Sequence, residues 1–241
     1  MTAYFLVGTT NAGLPVLQDY KLYLIIFSTL LITAAGYMIN DYYDVKIDYV
    51  NRPNEVVVGK GIKRRVIILL HSFLNFTAIG LGYVVSPKIA FINFVAAFLL
   101  WIYSNQLKRE PFIGNVTVAF LTGLSIYIIA IHYQKAELLV LTYAIFAFFL
   151  NLIREIIKDI EDRQGDRKHG CRTLPIVLGF RKTKAVIFLI AAVFICAILI
   201  VMFKLDRPII FAYFGGLGIF FMYFMYRIYV ADRKDHFTQL S

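Results

Sequence analysis

Charge is scarce in this sequence: Asp, Glu, Lys and Arg make up 17% of it and hydrophobic residues 60%, where a soluble globular domain carries about a quarter charged residues. That balance excludes an ordinary soluble domain and points to a chain dissolved in lipid. Cysteine is nearly absent. Cys171 lies in a basic stretch and Cys196 inside an apolar run, so no disulfide framework is expected. The four histidines follow no zinc-binding spacing, which removes a structural zinc site. No low-complexity tract and no repeat period stand out, and the connections on one side are very short, so one compact helical bundle is expected rather than separate domains. Acidic residues number only 15 against 25 basic ones. The resulting net charge of +10 invites a nucleic-acid reading, but its distribution along the chain reads as topology instead.

Uncharged runs do exist, at 22–40, 66–87, 89–107, 111–134, 185–203 and 208–226. Each falls within or near the roughly 17–25 residues that a helix needs to cross about 30 Å of hydrocarbon. A seventh, 138–153, is slightly short, but its helical pattern can continue through Arg154 toward a polar end. Residues 1–18 are uncharged too, yet Asn11, Gly13 and Pro15 interrupt them, leaving a stub that does not span. The fold expected is all-α: a single polytopic transmembrane bundle over 1–241, with seven spanning helices and an N-terminal stub.

Placing successive loops on alternate sides puts 20 of the 25 basic residues on one side and leaves Lys21, Lys88, Lys135, Lys204 and Arg207 on the other. The positive-inside rule makes the rich side cytoplasmic and sets the N-terminus outside. One spurious or missing span would scatter those residues over both faces. No basic region precedes Met1–Gly8 and no small-residue cleavage site follows it, so a signal peptide is not expected. Two longer cytoplasmic loops, near 46–65 and 160–183, hold most of the polar chemistry. Nothing in the pattern sets an oligomeric state.

Six of the few acids are aspartates in two tight groups: Asp41, Asp44 and Asp48, then Asp159, Asp162 and Asp166. If the helix over 22–40 runs on, Asn40, Asp44 and Asp48 fall at i, i+4 and i+8 on one face. Asp162 and Asp166 repeat that spacing, with Asp159 three residues back. Like charges so stacked repel unless a cation neutralises them. Magnesium suits the role, because it takes one or two carboxylates and completes its shell with water and substrate phosphate. Neither group has the ligand order of a calcium-binding EF-hand loop. Lys46, Arg52, Lys108, Arg154, Lys158 and Arg163 lie nearby in sequence and could meet remaining phosphate charge.

These same residues resemble the UbiA superfamily of intramembrane prenyltransferases. Asn40-Asp41-Tyr42-Tyr43-Asp44-Val45-Lys46-Ile47-Asp48 with Asn51-Arg52-Pro53 is similar to the family's NDxxDxxxD signature and its trailing arginine-proline. KDIEDRQGD, carrying Asp159, Asp162 and Asp166, resembles the second aspartate motif. Tyr103-Ser104-Asn105-Gln106-Leu107-Lys108-Arg109 resembles YSxxLKR, and Gly114-Asn115 followed by Val118-Ala119 resembles the start of the next helix. The stretch from Arg154 to Gly179 resembles the digeranylgeranylglyceryl phosphate synthase branch. Val56-Val57-Val58-Gly59-Lys60-Gly61-Ile62 departs from the PIPSGRI-like stretch common in that branch, in a loop positioned to touch substrate. Family members usually have nine transmembrane helices, so the resemblance implies that most of the first and all of the last are absent here.

The resemblance implies magnesium-dependent transfer of a prenyl group, geranylgeranyl in that branch, from an allylic diphosphate to a lipid acceptor such as geranylgeranylglyceryl phosphate. An aromatic or quinone-precursor acceptor is the alternative within the superfamily. Asn40, Asp44 and Asp48 would bind one ion, and Asp162 and Asp166 another. Arg52, Lys108, Lys46, Lys158 and Arg163 would meet the donor phosphates, and Lys60, Lys168 and Arg172 an acceptor phosphate. Asp41 or Asp159 would take the released proton. Tyr37, Tyr42 or Tyr103 could face the carbocation. His71 and His132 are expected to serve packing alone. Two rivals come from other classes: a transporter, which would put acids near the bilayer middle, and a regulatory subunit that binds cation or prenyl diphosphate without catalysis.

Overall fold

The computed structural model describes residues 18–51, 53–54, 56–134, 137–205, 208–232 and 234–240. The N-terminal stub and Arg52 lie outside the described residues. Helices α1 (Tyr20–Asn51), α2 (Arg64–Val85), α3 (Pro87–Asn105), α4 (Ile113–Tyr133), α5 (Glu137–Lys168), α7 (Phe180–Leu205) and α8 (Pro208–Val230) cover the seven predicted runs. Between them come a 3₁₀ turn at Leu107–Arg109, the short α6 (Leu174–Val177) and, after α8, the short α9 (Lys234–Thr238). Among the described residues, α1 to α5 and α7 are long and apolar enough to cross a membrane. Helix α8, with 23 residues, overlies the run 208–226.

Local chemistry sets several boundaries. Pro87 opens α3 at a position where its missing N–H costs nothing, and the Ser86 side chain caps it by accepting from the Ile89 amide at 3.2 Å. Helices α2 and α3 then turn back on each other closely. A Cβ on Gly82 would lie 3.1 Å from Ala90 Cα, and buried Asn93 donates to the Ala78 carbonyl at 2.9 Å. Small residues and interhelical hydrogen bonds of this kind hold helices together where lipid gives no hydrophobic drive. His71, with Nδ1 2.9 Å from the Ala35 carbonyl, likewise ties α2 to α1.

The main core is centred on α5, whose Leu152, Ile153, Ile156, Ile157 and Ile160 pack with Ile187, Ile190 and Ala191 of α7 and Met225 and Ile228 of α8. Phe237 of α9 joins it, 1% exposed, although it comes from a polar C-terminal segment. Large apolar side chains such as Phe76, Phe91 and Phe220 face outward, as expected where lipid is the solvent. Helices α1 and α5 each have 32 residues, or roughly 48 Å at 1.5 Å per residue. That exceeds the hydrocarbon thickness, so each carries its aspartates on a polar extension of an apolar span. The two cysteines are free, Cys171 buried and Cys196 exposed.

Candidate active site

Because α1 remains helical to Asn51, Asn40, Asp44 and Asp48 do stack on one face, and α5 does the same for Asp162 and Asp166. The two extensions pack together. Asn51 fastens them: its Nδ2 donates to the Asp162 carbonyl at 3.2 Å and its Oδ1 accepts from the Gly165 amide at 2.9 Å. Gly165 is needed there, since a Cβ would fall on the Asn51 amide group.

Between these walls lies a cavity of about 200 Å³ lined by Asn40, Asp41, Asp44 and Asp48 of α1, Lys158 and Asp162 of α5, and Lys108 of the 3₁₀ turn. Val56, Val57 and Val58 close another side. They belong to a tight turn in which the Gly59 amide donates to Ile62 O at 2.9 Å and the Gly61 amide to Val57 O at 2.9 Å. Gly59 takes φ +88°, a left-handed conformation that favours glycine.

Lys108 forms an ion pair with Asp44, and its Nζ lies 3.4 Å from Asn40 Oδ1. Asp44 is 3% exposed. A bare carboxylate there would be costly, and removing one partner of a buried pair costs about 3–5 kcal/mol. Burial alone would pull the Lys108 ammonium down; the Asp44 carboxylate overrides it and holds Lys108 above the ordinary lysine range. Its backbone is fixed from behind: a Cβ on Gly114 would lie 2.7 Å from Leu107 O and 3.1 Å from Lys108 Cα. Glycine at 114 therefore lets the start of α4 press against the turn.

Among the described residues, the other expected ones lie outside the cavity lining. Asp159 does not line the cavity and accepts from Asn115 Nδ2 at 2.9 Å. Asp166 is buried behind the lining, where the Thr173 hydroxyl donates to it at 3.4 Å. Tyr103 is half-buried at the end of α3 and also lies outside the lining. Lys46, Lys168 and Arg172 are exposed and Arg163 is half-buried, none of them on the cavity wall. Lys60 is exposed, donates to the Pro53 carbonyl at 3.0 Å and stands 5.0 Å above the Tyr49 ring. Of the other two rings, Tyr37 is 68% exposed and Tyr42 has Arg64 stacked 4.3 Å from its centroid. Cys171 is held close by a bond from its amide to Asp166 O. Burial and then the Asp166 charge push its thiol pKa up, away from nucleophilic use.

The gathered donors are all oxygens, which fits a hard cation. Among the described residues no three His, Cys, Asp or Glu side chains converge tightly enough to hold an ion by themselves. Such a set suits an ion whose shell is completed by substrate phosphate. Asn51, Asn115 and Thr173 act here as supports. Asn51, Asn115 and Thr173 each stand inside a recognisable sequence signal, Thr173 in the stretch from Arg154 to Gly179, though nothing local pairs Thr173 with Asp166.

Comparison with known proteins agrees with this architecture. The chain is 39% identical over 180 residues to digeranylgeranylglyceryl phosphate synthase of Thermococcus gammatolerans, covering 73% of this chain and 65% of that one. It is 33% identical over 214 residues to the synthase of the same name from Methanosphaera stadtmanae, covering 89% and 74%. The match thus spans slightly less than two thirds of the first relative's own length. In three dimensions, a UbiA homologue from Aeropyrum pernix superposes with a TM-score of 0.76 at 15% identity, covering 91% of this chain and 84% of that one. A homologue from Archaeoglobus fulgidus bound to DMAPP and Mg2+ superposes with a TM-score of 0.65 at 16% identity, covering 86% and 74%. These two share the fold. The UbiA prenyltransferase family model matches residues 2–239, and the chain belongs to that family.

Proposed function

We propose that this chain transfers a prenyl group, geranylgeranyl in the first instance, from an allylic diphosphate to the hydroxyl of geranylgeranylglyceryl phosphate. The carrying observation is the cavity where Asn40, Asp44 and Asp48 of α1 meet Lys158 and Asp162 of α5 across Lys108. The names of the curated relatives support the acceptor, and the DMAPP and Mg2+ of the Archaeoglobus homologue support the donor class and the ion.

In this reading Asn40, Asp44 and Asp48 hold one magnesium ion, and Asp162 with Asp166 one turn further holds a second. Bound magnesium supplies positive charge that stabilises the departing diphosphate. Lys108 and Lys158, both on the cavity wall, add charge-assisted hydrogen bonds to phosphate oxygens. Arg52 follows Asn51 directly in the chain and is assigned the same task, with Lys46 and Arg163 at the periphery. The three valines of the 56–62 turn limit water at the reacting carbon. Asp41, exposed on the cavity wall, and Asp159, oriented by Asn115, are the two candidates for taking the hydroxyl proton. Lys60, Lys168 and Arg172, all exposed, are assigned to an acceptor phosphate in this reading. Tyr103 is the ring retained near the reacting end. The excess of basic residues on one face supports a cytoplasmic site and an outside N-terminus in this reading.

An aromatic acceptor is the second reading, favoured by the apolar wall of Val56, Val57 and Val58. The test is a reconstituted assay with magnesium and labelled geranylgeranyl diphosphate, offering geranylgeranylglyceryl phosphate and 4-hydroxybenzoate in parallel. Ether-lipid product supports the first reading; product from the aromatic acid alone replaces it with the second. Transfer to neither, with donor binding intact, overturns both.

A further inference from the structure

The cation that neutralises Asp44 here belongs to the protein. Lys108 occupies Asp44 and reaches Asn40 Oδ1 at 3.4 Å, two of the three side chains assigned above to the first ion. An ion cannot take those oxygens until the ammonium leaves. The Lys108 backbone cannot retreat, because the 3₁₀ turn is pressed against Gly114. Its side chain lines the cavity and can turn into it. Moving there beside an incoming dication would set like charges a few ångströms apart, unless an anion arrives at the same time.

We propose that Lys108 is a built-in counter-cation that makes magnesium and diphosphate bind as a unit: it blocks Asn40 and Asp44 against metal alone and passes to the phosphate when both arrive. The inference rests on the metal assignment of the preceding section and adds an order to it. It makes Lys108 a positioning residue for the ligands before it becomes a phosphate contact. A cavity so guarded does not fill with free metal, and the buried Asp44 is never left uncompensated.

The experiment measures binding of Mn2+, visible by electron paramagnetic resonance, to the full chain in detergent. It is measured alone and with geranyl S-thiolodiphosphate, whose bridging sulfur slows departure of the diphosphate. The wild-type chain is expected to bind Mn2+ alone at least about tenfold more weakly than with the analogue. Lys108→Met is expected to bind Mn2+ alone at least about tenfold more tightly than wild type, as removal of a nearby like charge implies. Lys108→Arg keeps the wild-type weakness. The melting temperature of Lys108→Met should fall without metal and recover with Mn2+ alone. Lys108→Gln, which keeps a donor for Asp44 but no charge, provides the same comparison if Lys108→Met does not fold. Equal Mn2+ affinity of wild type and the uncharged variants overturns the counter-cation while sparing the metal assignment. Absence of Mn2+ binding in every chain, even with the analogue, overturns the metal assignment and this inference together.

Discussion

Gly165→Ala tests whether α1 and α5 are fastened as described. In a helix interior, Gly to Ala normally stabilises by about 1 kcal/mol. Here the new methyl would displace the Asn51 amide. Both Asn51 hydrogen bonds to α5 would then be lost, at roughly 0.5–1.5 kcal/mol each. The net expectation is a destabilisation of about 0–2 kcal/mol. In an Asn51→Ala background nothing remains to displace, and the same substitution should recover its gain of about 1 kcal/mol. The double-mutant cycle therefore predicts an interaction energy of about 1–3 kcal/mol. Melting temperatures in one detergent read it: Gly165→Ala should lower Tm by up to about 8 °C in the wild-type background and raise it by about 2–4 °C in Asn51→Ala. Turnover should fall with the first and not with the second step of the cycle, since only the first shifts one cavity wall against the other. Equal stabilisation by Gly165→Ala in both backgrounds would refute the clasp.

Three further expectations follow from other supports. Asn115→Leu leaves Asp159 without its 2.9 Å donor; if Asp159 takes the proton, kcat should fall about 10²-fold with donor affinity unchanged, and an unchanged kcat would leave Asp41 as the acceptor. Gly114→Ala forces α4 off the turn that carries Lys108, so donor KM should rise with an overpacking cost of about 1–3 kcal/mol in stability. At the far end, Asp19 accepts from the Tyr133 hydroxyl at 2.8 Å and from the Lys21 amide at 2.9 Å; against the opposing effect of burial, these bonds hold the Asp19 carboxyl below its ordinary range. A depressed folded-state pKa stabilises above the ordinary aspartate range and loses that contribution as pH falls through the lowered value. Tyr133→Phe should therefore cost stability at neutral pH and narrow its gap from wild type in acid, as followed by Tm against pH.

The helices were legible because their signal is local: an uncharged run long enough to span needs no knowledge of its neighbours. Stacking of Asn40, Asp44 and Asp48 was legible on the same ground, once the helix was taken to continue. What could not be read were contacts between residues far apart in sequence. Asn51 meets Gly165 114 positions away, and Asn115 meets Asp159 44 positions away. Each residue stood inside a recognisable motif, but nothing local pairs one motif with the other. The sequence made Asp162 and Asp166 equivalent; packing separates them, leaving Asp162 on the cavity and turning Asp166 toward Thr173. Aromatic roles were least legible of all, since 16 tyrosines and 22 phenylalanines offer many rings at suitable spacings. Arg64 over Tyr42 depends on how two helices approach. Burial of Phe237 in a polar terminal segment likewise follows from a groove that only the assembled bundle presents.

In the proposed site, carboxylates from two helices together hold the diphosphate through bound metal. The most direct test is prenyl transfer by Asp44→Ala and Asp162→Ala, each reconstituted beside wild type with magnesium and labelled geranylgeranyl diphosphate, with Tm recorded for each. Loss of turnover in both variants while each remains folded is the predicted result; wild-type turnover in either one would contradict the account.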